Sequence, residues 1–210
     1  MATDLMPPET DRKTSASTRG EGRSLHRLSV AQYEAMAQSG ILTTRDRVEL
    51  IDGLLVSKMT KKPPHQLVIS NACYALIRLL PDDWLVRTES PLVLLESVPE
   101  PDVMILRGRN EDYSKRHPSP EDVALVIEVA DATVAEDRAR STMFAAAGIP
   151  AYWLVNIPGD RIEVFGDPAG SGPSASYQER RDYRRGAEVT FELPGRVAVS
   201  LGVESLLPPE

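Results

Sequence analysis

Two short apolar runs, each interrupted by one carboxylate, constrain this chain more than any other feature. Pro99-Glu100-Pro101-Asp102-Val103-Met104-Ile105 and Val123-Ala124-Leu125-Val126-Ile127-Glu128-Val129 are apolar, β-branched and short enough to be buried strands. Asp102 stands at the start of one and Glu128 near the end of the other. A carboxylate among buried side chains is costly unless positive charge compensates it. A divalent cation held by oxygen ligands is the usual compensation. The pair therefore predicts two neighbouring strands that share a Mg²⁺-type site.

Ordinary helix and strand signals surround that pair. Ser29 suits the N-cap of a helix over Val30 to Gln38, with Gly40 as its stop. Val48 to Val56 reads as a hairpin turning on Asp52-Gly53. From Pro64 onward, Leu67, Ile69, Ala72, Cys73, Leu76, Ile77 and Leu80 repeat with a helical period that Pro81-Asp82-Asp83 ends. Strands are expected over Leu85–Thr88 and Leu92–Leu95, ahead of the acid-bearing pair, and Arg107 to Glu121 is loop in character. Thr133 to Ala147 predicts an Ala-rich helix stopped by Gly148, with Ala151 to Val155 as the next buried strand. Arg161–Phe165 and Tyr177–Tyr183 alternate as edge strands around a Gly/Ser/Pro loop, and Glu188–Leu193 and Val197–Val199 are expected to finish the sheet. The order predicts an α/β sandwich, a mixed β-sheet flanked by helices. Residues 1–25 lack apolar period and read as a disordered tail, leaving 26–210 as one domain.

Composition narrows the function classes. A net charge of −7 argues against a broad basic surface for nucleic acid and leaves room for a local basic cleft. Cys73 is the single cysteine, which removes disulfide frameworks and cysteine-based zinc sites and suits a core position. No apolar run approaches the ~18 residues a membrane span needs. The N-terminus carries no signal-peptide pattern, so a cytoplasmic protein with no membrane contact is expected. No glycine-rich phosphate loop follows a strand, no Gly-x-Ser-x-Gly elbow occurs, and three scattered histidines lack zinc-ligand spacing.

The acid-bearing strands and the helix after them resemble the PD-(D/E)XK nuclease superfamily. Within it the chain is similar to the Uma-type bacterial restriction endonucleases, formerly catalogued as a domain of unknown function. The resemblance runs from Leu28 to Pro208. It is carried by Arg47-Val48-Glu49-Leu50-Ile51-Asp52-Gly53, Pro99-Glu100-Pro101-Asp102, Arg116-His117-Pro118, Leu125-Val126-Ile127-Glu128-Val129 and Ala147-Gly148-Ile149-Pro150-Ala151-Tyr152-Trp153. It implies a restriction-endonuclease-like core with extra C-terminal antiparallel strands. It also implies a homodimeric, Mg²⁺- or Mn²⁺-dependent endonuclease that hydrolyses DNA phosphodiesters. Asp102 and Glu128 would hold the metal, with the Val129 carbonyl as a third ligand and Glu49 as a further acid. Other readings stand beside these: a solvated acid for Glu49, and an ion pair with arginine for Asp102 and Glu128. For the whole chain the alternatives are a nuclease-fold module that has lost hydrolysis and binds nucleic acid or protein, and a hydrolase of small phosphodiesters.

Superfamily enzymes carry a lysine just beyond the glutamate, but Val129 and Ala130 follow Glu128. In the resembled family that lysine has moved to the next helix. Counting forward from Asp137 puts its position at Ser141, and counting back from Gly148 puts it at Arg140. One missing residue rotates a helix by about 100°. The strand after Gly148 anchors that side, which favours Arg140; the alternatives are Arg138, a lysine from elsewhere such as Lys58, no surrogate, or Arg138 and Arg140 as a solvated or ion-paired helix face. His65, at the head of its helix, is read either as a contact to phosphate or metal-bound water or as a partly exposed capping histidine, and His117 either as part of a loop that closes over substrate or as part of a structural turn. Lys58, Lys61 and Lys62, and separately Arg180, Arg181, Arg184 and Arg185, either contact phosphate or form solvated edges.

Overall fold

Asp102, just before one strand of a six-stranded sheet, stands beside Glu128 on the neighbouring strand. The computed structural model describes residues 25–195 and 198–209; the tail expected over 1–25 lies, apart from Leu25, outside them, as does Val197. Along the chain, α1 (Val30–Gln38) precedes the hairpin β1 (Val48–Ile51) and β2 (Leu54–Ser57), and α2 (Pro63–Ile77) follows. The sheet then takes β3 (Trp84–Thr88), β4 (Val103–Arg107) and β5 (Val123–Ala130). Helix α3 (Val134–Ala146) leads to β6 (Ala151–Asn156), β7 (Arg161–Ala169) and β8 (Ser176–Arg184). Their spatial order is β3-β4-β5-β6-β7-β8. Only β5 and β6 are parallel, joined by α3 as the crossover helix; every other neighbouring pair is antiparallel.

Local chemistry accounts for the boundaries. Ser29 and Gln32 form a reciprocal capping box on α1. In the β1–β2 turn, Asp52 (φ 47°) and Gly53 (φ 75°) both adopt left-handed backbone, as a two-residue hairpin requires. Pro63 and Pro64 open α2, where missing N–H groups are tolerated. Gly148 (φ 73°) ends α3 where the sequence places its stop.

The alternation of the strands sorts the core into two layers. Leu125, Ile127, Val129, Trp153, Val155 and Ile162 face α2 and the C-terminal strands. Val126, Ala130, Tyr152, Leu154 and Phe165 face α3 through Phe144. Glu128 has the parity of Val126 and Ala130, so it points to the α3 side among apolar neighbours.

Several sequence expectations are corrected. Leu92–Leu95 is not a strand: its amides bond to Pro99, Pro118 and Ser97 carbonyls, so Leu92 and Leu94 are buried from an irregular segment. Alternation there reflected burial alone, between prolines that interrupt a ladder. β7 is interior rather than an edge, paired on both sides, and only β8 is exposed at that end. β9 (Glu188–Glu192) and β10 (Ala198–Gly202) pair with each other in a separate sheet instead of finishing the main one. They bury Val189, Phe191 and Leu201 over the α2 side of the core. Arg107, expected in the loop, ends β4, and the segment after it carries two short 3₁₀ turns, Asn110–Tyr113 and Pro120–Asp122.

Candidate active site

Asp102 lies immediately before β4, and pairing of Val103 with Ile127 sets it beside Glu128. Both are about 95% buried, Asp102 at 5% and Glu128 at 4% exposure. The Asp102 amide donates to Glu128 Oε2 at 3.2 Å, and the Val129 amide donates to Asp102 Oδ2 at 2.8 Å. N–H and C=O of a strand residue face the same edge, so the Val129 carbonyl is turned toward this end of β4 as well. Burial pushes the Asp102 carboxyl up, but hydrogen bonding from His65 and the charge of Lys61 outweigh it and hold it below its usual value. Burial, reinforced by Asp102, drives the Glu128 carboxyl well above its own. Glu128 is thus the less compensated member of the pair.

Glu49 reaches the same place from β1. It is buried rather than solvated, at 4% exposure, accepts from the Glu100 amide at 3.1 Å and pairs with Arg140. Arg140 lies between two acids: Nη2 on Glu49, and Nη1 at 3.2 Å from Glu128 Oε1. Burial works against its charge, yet Glu128 and Glu49 hold the guanidinium above its ordinary pKa. In this register Arg140, two residues beyond Arg138, is the α3 side chain that meets Glu128. Arg138 turns instead to Glu163 on β7, with Nε and Nη2 at 2.8 and 2.7 Å from its two oxygens. Glu163 also receives Arg161, Arg180 and Asn156. Two arginines thus fasten α3 to carboxylates two strands apart, across the buried Leu154.

The segment between β2 and α2 brings the remaining charge. Lys61 Nζ is 2.5 Å from Asp102 Oδ1 and 2.7 Å from Glu89 Oε1. Burial opposes its charge, but Asp102 and Glu89 prevail and raise its pKa. His65 Nε2 sits 3.2 Å from Asp102 Oδ2, while its Nδ1 is buried without a partner. His65 is therefore drawn into the cluster, not an exposed cap. Lys58 pairs with Glu100 at the rim. Lys62 pairs with Asp131 at 3.4 Å. His117 and the rest of its loop do not line the cleft. Of the distant arginines, Arg180 is engaged with Glu163 and Asp182, Arg181 with Glu179, and Arg185 with Asp160.

Sequence reasoning gave Lys61 either a phosphate contact or a solvated edge, used Asp137 only as a counting point on α3, and omitted Glu89 and Glu163. The usable signal for Lys61 was its place just before Pro63-Pro64: a rigid helix start that carries His65 to the cleft carries its neighbours to the rim. Asp137 is held by Thr133 Oγ1 at 2.5 Å, and burial raises its carboxyl.

These side chains line a cleft of about 660 Å³. Its walls carry eight carboxylates against five lysines and arginines, a net charge of −3 with histidine neutral. Such a cleft repels a phosphate unless a cation is added. Among the described residues no cluster of three or more His, Cys, Asp or Glu side chains is suited to a metal, which argues against an all-protein cage. Mg²⁺ keeps several waters and takes one or two carboxylates. Asp102 and Glu128, adjacent and lining the cleft beside Val129, supply that number of carboxylates.

Comparison with known proteins agrees with this architecture. The profile of the Uma2 family, described as "Putative restriction endonuclease", matches residues 30–203. The crystal structure of a "putative nuclease belonging to DUF820" from Anabaena variabilis superposes with a TM-score of 0.64. It covers 85% of this chain and 97% of that one at 13% identity, a likeness of fold. No curated protein matches the chain. No helix among the described residues is long and apolar enough to cross a membrane.

Proposed function

Because the chain belongs to the Uma2 family, we propose that its cleft hydrolyses phosphodiester bonds of DNA with one Mg²⁺ or Mn²⁺ ion. The observation that carries this reading is the adjacent buried pair Asp102–Glu128, two carboxylates joined through the Asp102 amide and lining one cleft. When bound, such an ion polarises a phosphoryl oxygen and acidifies water. Asp102, Glu128 and the Val129 carbonyl would hold it. His65 orients Asp102 from the side opposite Lys61. Arg140 neutralises Glu49 and Glu128 together, so that the site does not confront a phosphate with three bare carboxylates. Lys58, at the rim, contacts the flanking backbone. A symmetric pair of chains, each with one cleft, suits a duplex substrate.

The test is nicking of plasmid DNA by the purified chain. Mg²⁺ or Mn²⁺ supports cleavage, chelation stops it, and Glu128→Ala abolishes it. DNA binding without cleavage under every divalent metal would instead favour a module that has lost hydrolysis. Turnover of a chromogenic diester without polymer binding would move the substrate to small phosphodiesters.

A further inference from the structure

Resting on the hydrolytic reading above, we infer that Lys61, rather than Arg140, supplies the positive charge that meets the scissile phosphate, and that it competes with the divalent ion for Asp102. Both cations bridge two carboxylates, but the consequences of moving them differ. Arg140 is held between Glu49 and Glu128, each 4% exposed, and its departure would strand two buried charges. Lys61 strands none. Asp102 keeps the Val129 amide at 2.8 Å and His65 at 3.2 Å on its other oxygen. Glu89, with its side chain 46% exposed, is open to solvent. Lys61 extends from the irregular segment between β2 and α2, lines the cleft and retains a quarter of its side-chain exposure. Its ammonium has three donors, two of them in use.

Asp102 Oδ2 already accepts from the Val129 amide and His65, so Oδ1, which Lys61 occupies, is the oxygen left for a divalent ion. Were an ion held there, the Lys61 ammonium would be freed while still lining the cleft that would take the phosphate. During hydrolysis one O–P bond forms from water and one P–O bond to the leaving sugar oxygen breaks. A water proton passes to solvent and the leaving oxygen gains one. Lys61 exchanges no proton and stabilises the charge that grows on the non-bridging oxygens.

Lys61→Ala in the full chain tests this by two effects of opposite sign. Calorimetric titration with Mn²⁺ alone should show binding about fivefold tighter than wild type, because a competing cation of ordinary ion-pair strength is gone. Plasmid cleavage should fall about 100-fold, the usual loss for one charge-stabilising donor. Lys61→Arg should recover part of the cleavage. Unchanged or weaker Mn²⁺ binding, or cleavage at the wild-type rate, overturns the inference. If the wild type cleaves nothing under any metal, the hydrolytic reading fails, while the Mn²⁺ titration still decides whether Lys61 and the ion compete.

Discussion

Replacing Arg140 with alanine should expose how tightly charge balance and metal binding are linked. The side chain is the counter-charge of both Glu49 and Glu128. Removing one partner of a buried ion pair costs about 3–5 kcal/mol, because the remaining charge is left uncompensated. Arg140 retains 24% of its side-chain exposure, and Glu128 can relieve the strain by taking a proton, so the lower end applies. About 3 kcal/mol in a chain of this size lowers the melting temperature by roughly 6–12 °C. A divalent ion present at 100 times its Kd returns about 2.7 kcal/mol. It should return more to the variant than to the wild type, since the variant's carboxylates lack their other cation. Thermal unfolding followed by circular dichroism, with EDTA and then with Mg²⁺, measures both effects. Arg140→Lys should recover part of the loss. A variant melting within 2 °C of wild type in EDTA, a margin below ~1 kcal/mol, would refute the claim that Arg140 balances the two acids. Equal gains from Mg²⁺ in both proteins would refute the link to metal.

Two further substitutions probe the scaffold. Burial opposes ionisation of Glu163, but hydrogen bonds from Arg138, Asn156 and Arg161 hold its carboxyl down to about 2. A depressed carboxylate stabilises the fold above its unfolded pKa, and that contribution fades as pH falls toward the folded value. After discounting for the partly exposed arginines, Glu163→Gln should cost about 2 kcal/mol at pH 7, a deficit that closes between about pH 4.5 and 2. Urea unfolding across that range checks it, and a deficit constant with pH contradicts it. Gly53→Ala should destabilise by about 1–2 kcal/mol, from its positive φ of 75° and a Cβ only 2.7 Å from that of Arg27. Because the same hairpin carries Glu49, plasmid cleavage should fall with it; unchanged stability in urea would count against the strain.

How much of this was legible in the sequence follows from the range of the forces involved. The Asp52-Gly53 turn, the Ser29 cap, the α3 stop at Gly148 and the strand that carries Glu128 are set by neighbours in the chain, and the structure has them where local chemistry puts them; the strand expected from Pro99 begins only at Val103, after Asp102, and runs on to Arg107. The meeting of Glu49, Asp102 and Glu128 depends on long-range pairing, and the family pattern carried it. Sheet membership was harder. β9 and β10 alternate like any strand, and nothing local says which partner they choose. Leu92 and Leu94 are buried from an irregular segment, so alternation alone misassigned them. The pairings of charge were hardest. Lys61 lies 41 residues from Asp102 and Arg138 25 from Glu163, separations at which no periodicity links one side chain to another. The Arg140–Ser141 ambiguity came from a one-residue difference in counting; the α3 crossover resolves which side chain reaches Glu128.

The central claim, that Asp102 and Glu128 share one divalent ion, is tested most directly by anomalous diffraction from crystals soaked in Mn²⁺. The account predicts a single peak within about 2.5 Å of a carboxylate oxygen of each residue, with Lys61 displaced from Asp102. A peak elsewhere, or Asp102 still closed on Lys61 with no peak beside it at saturating Mn²⁺, would contradict it.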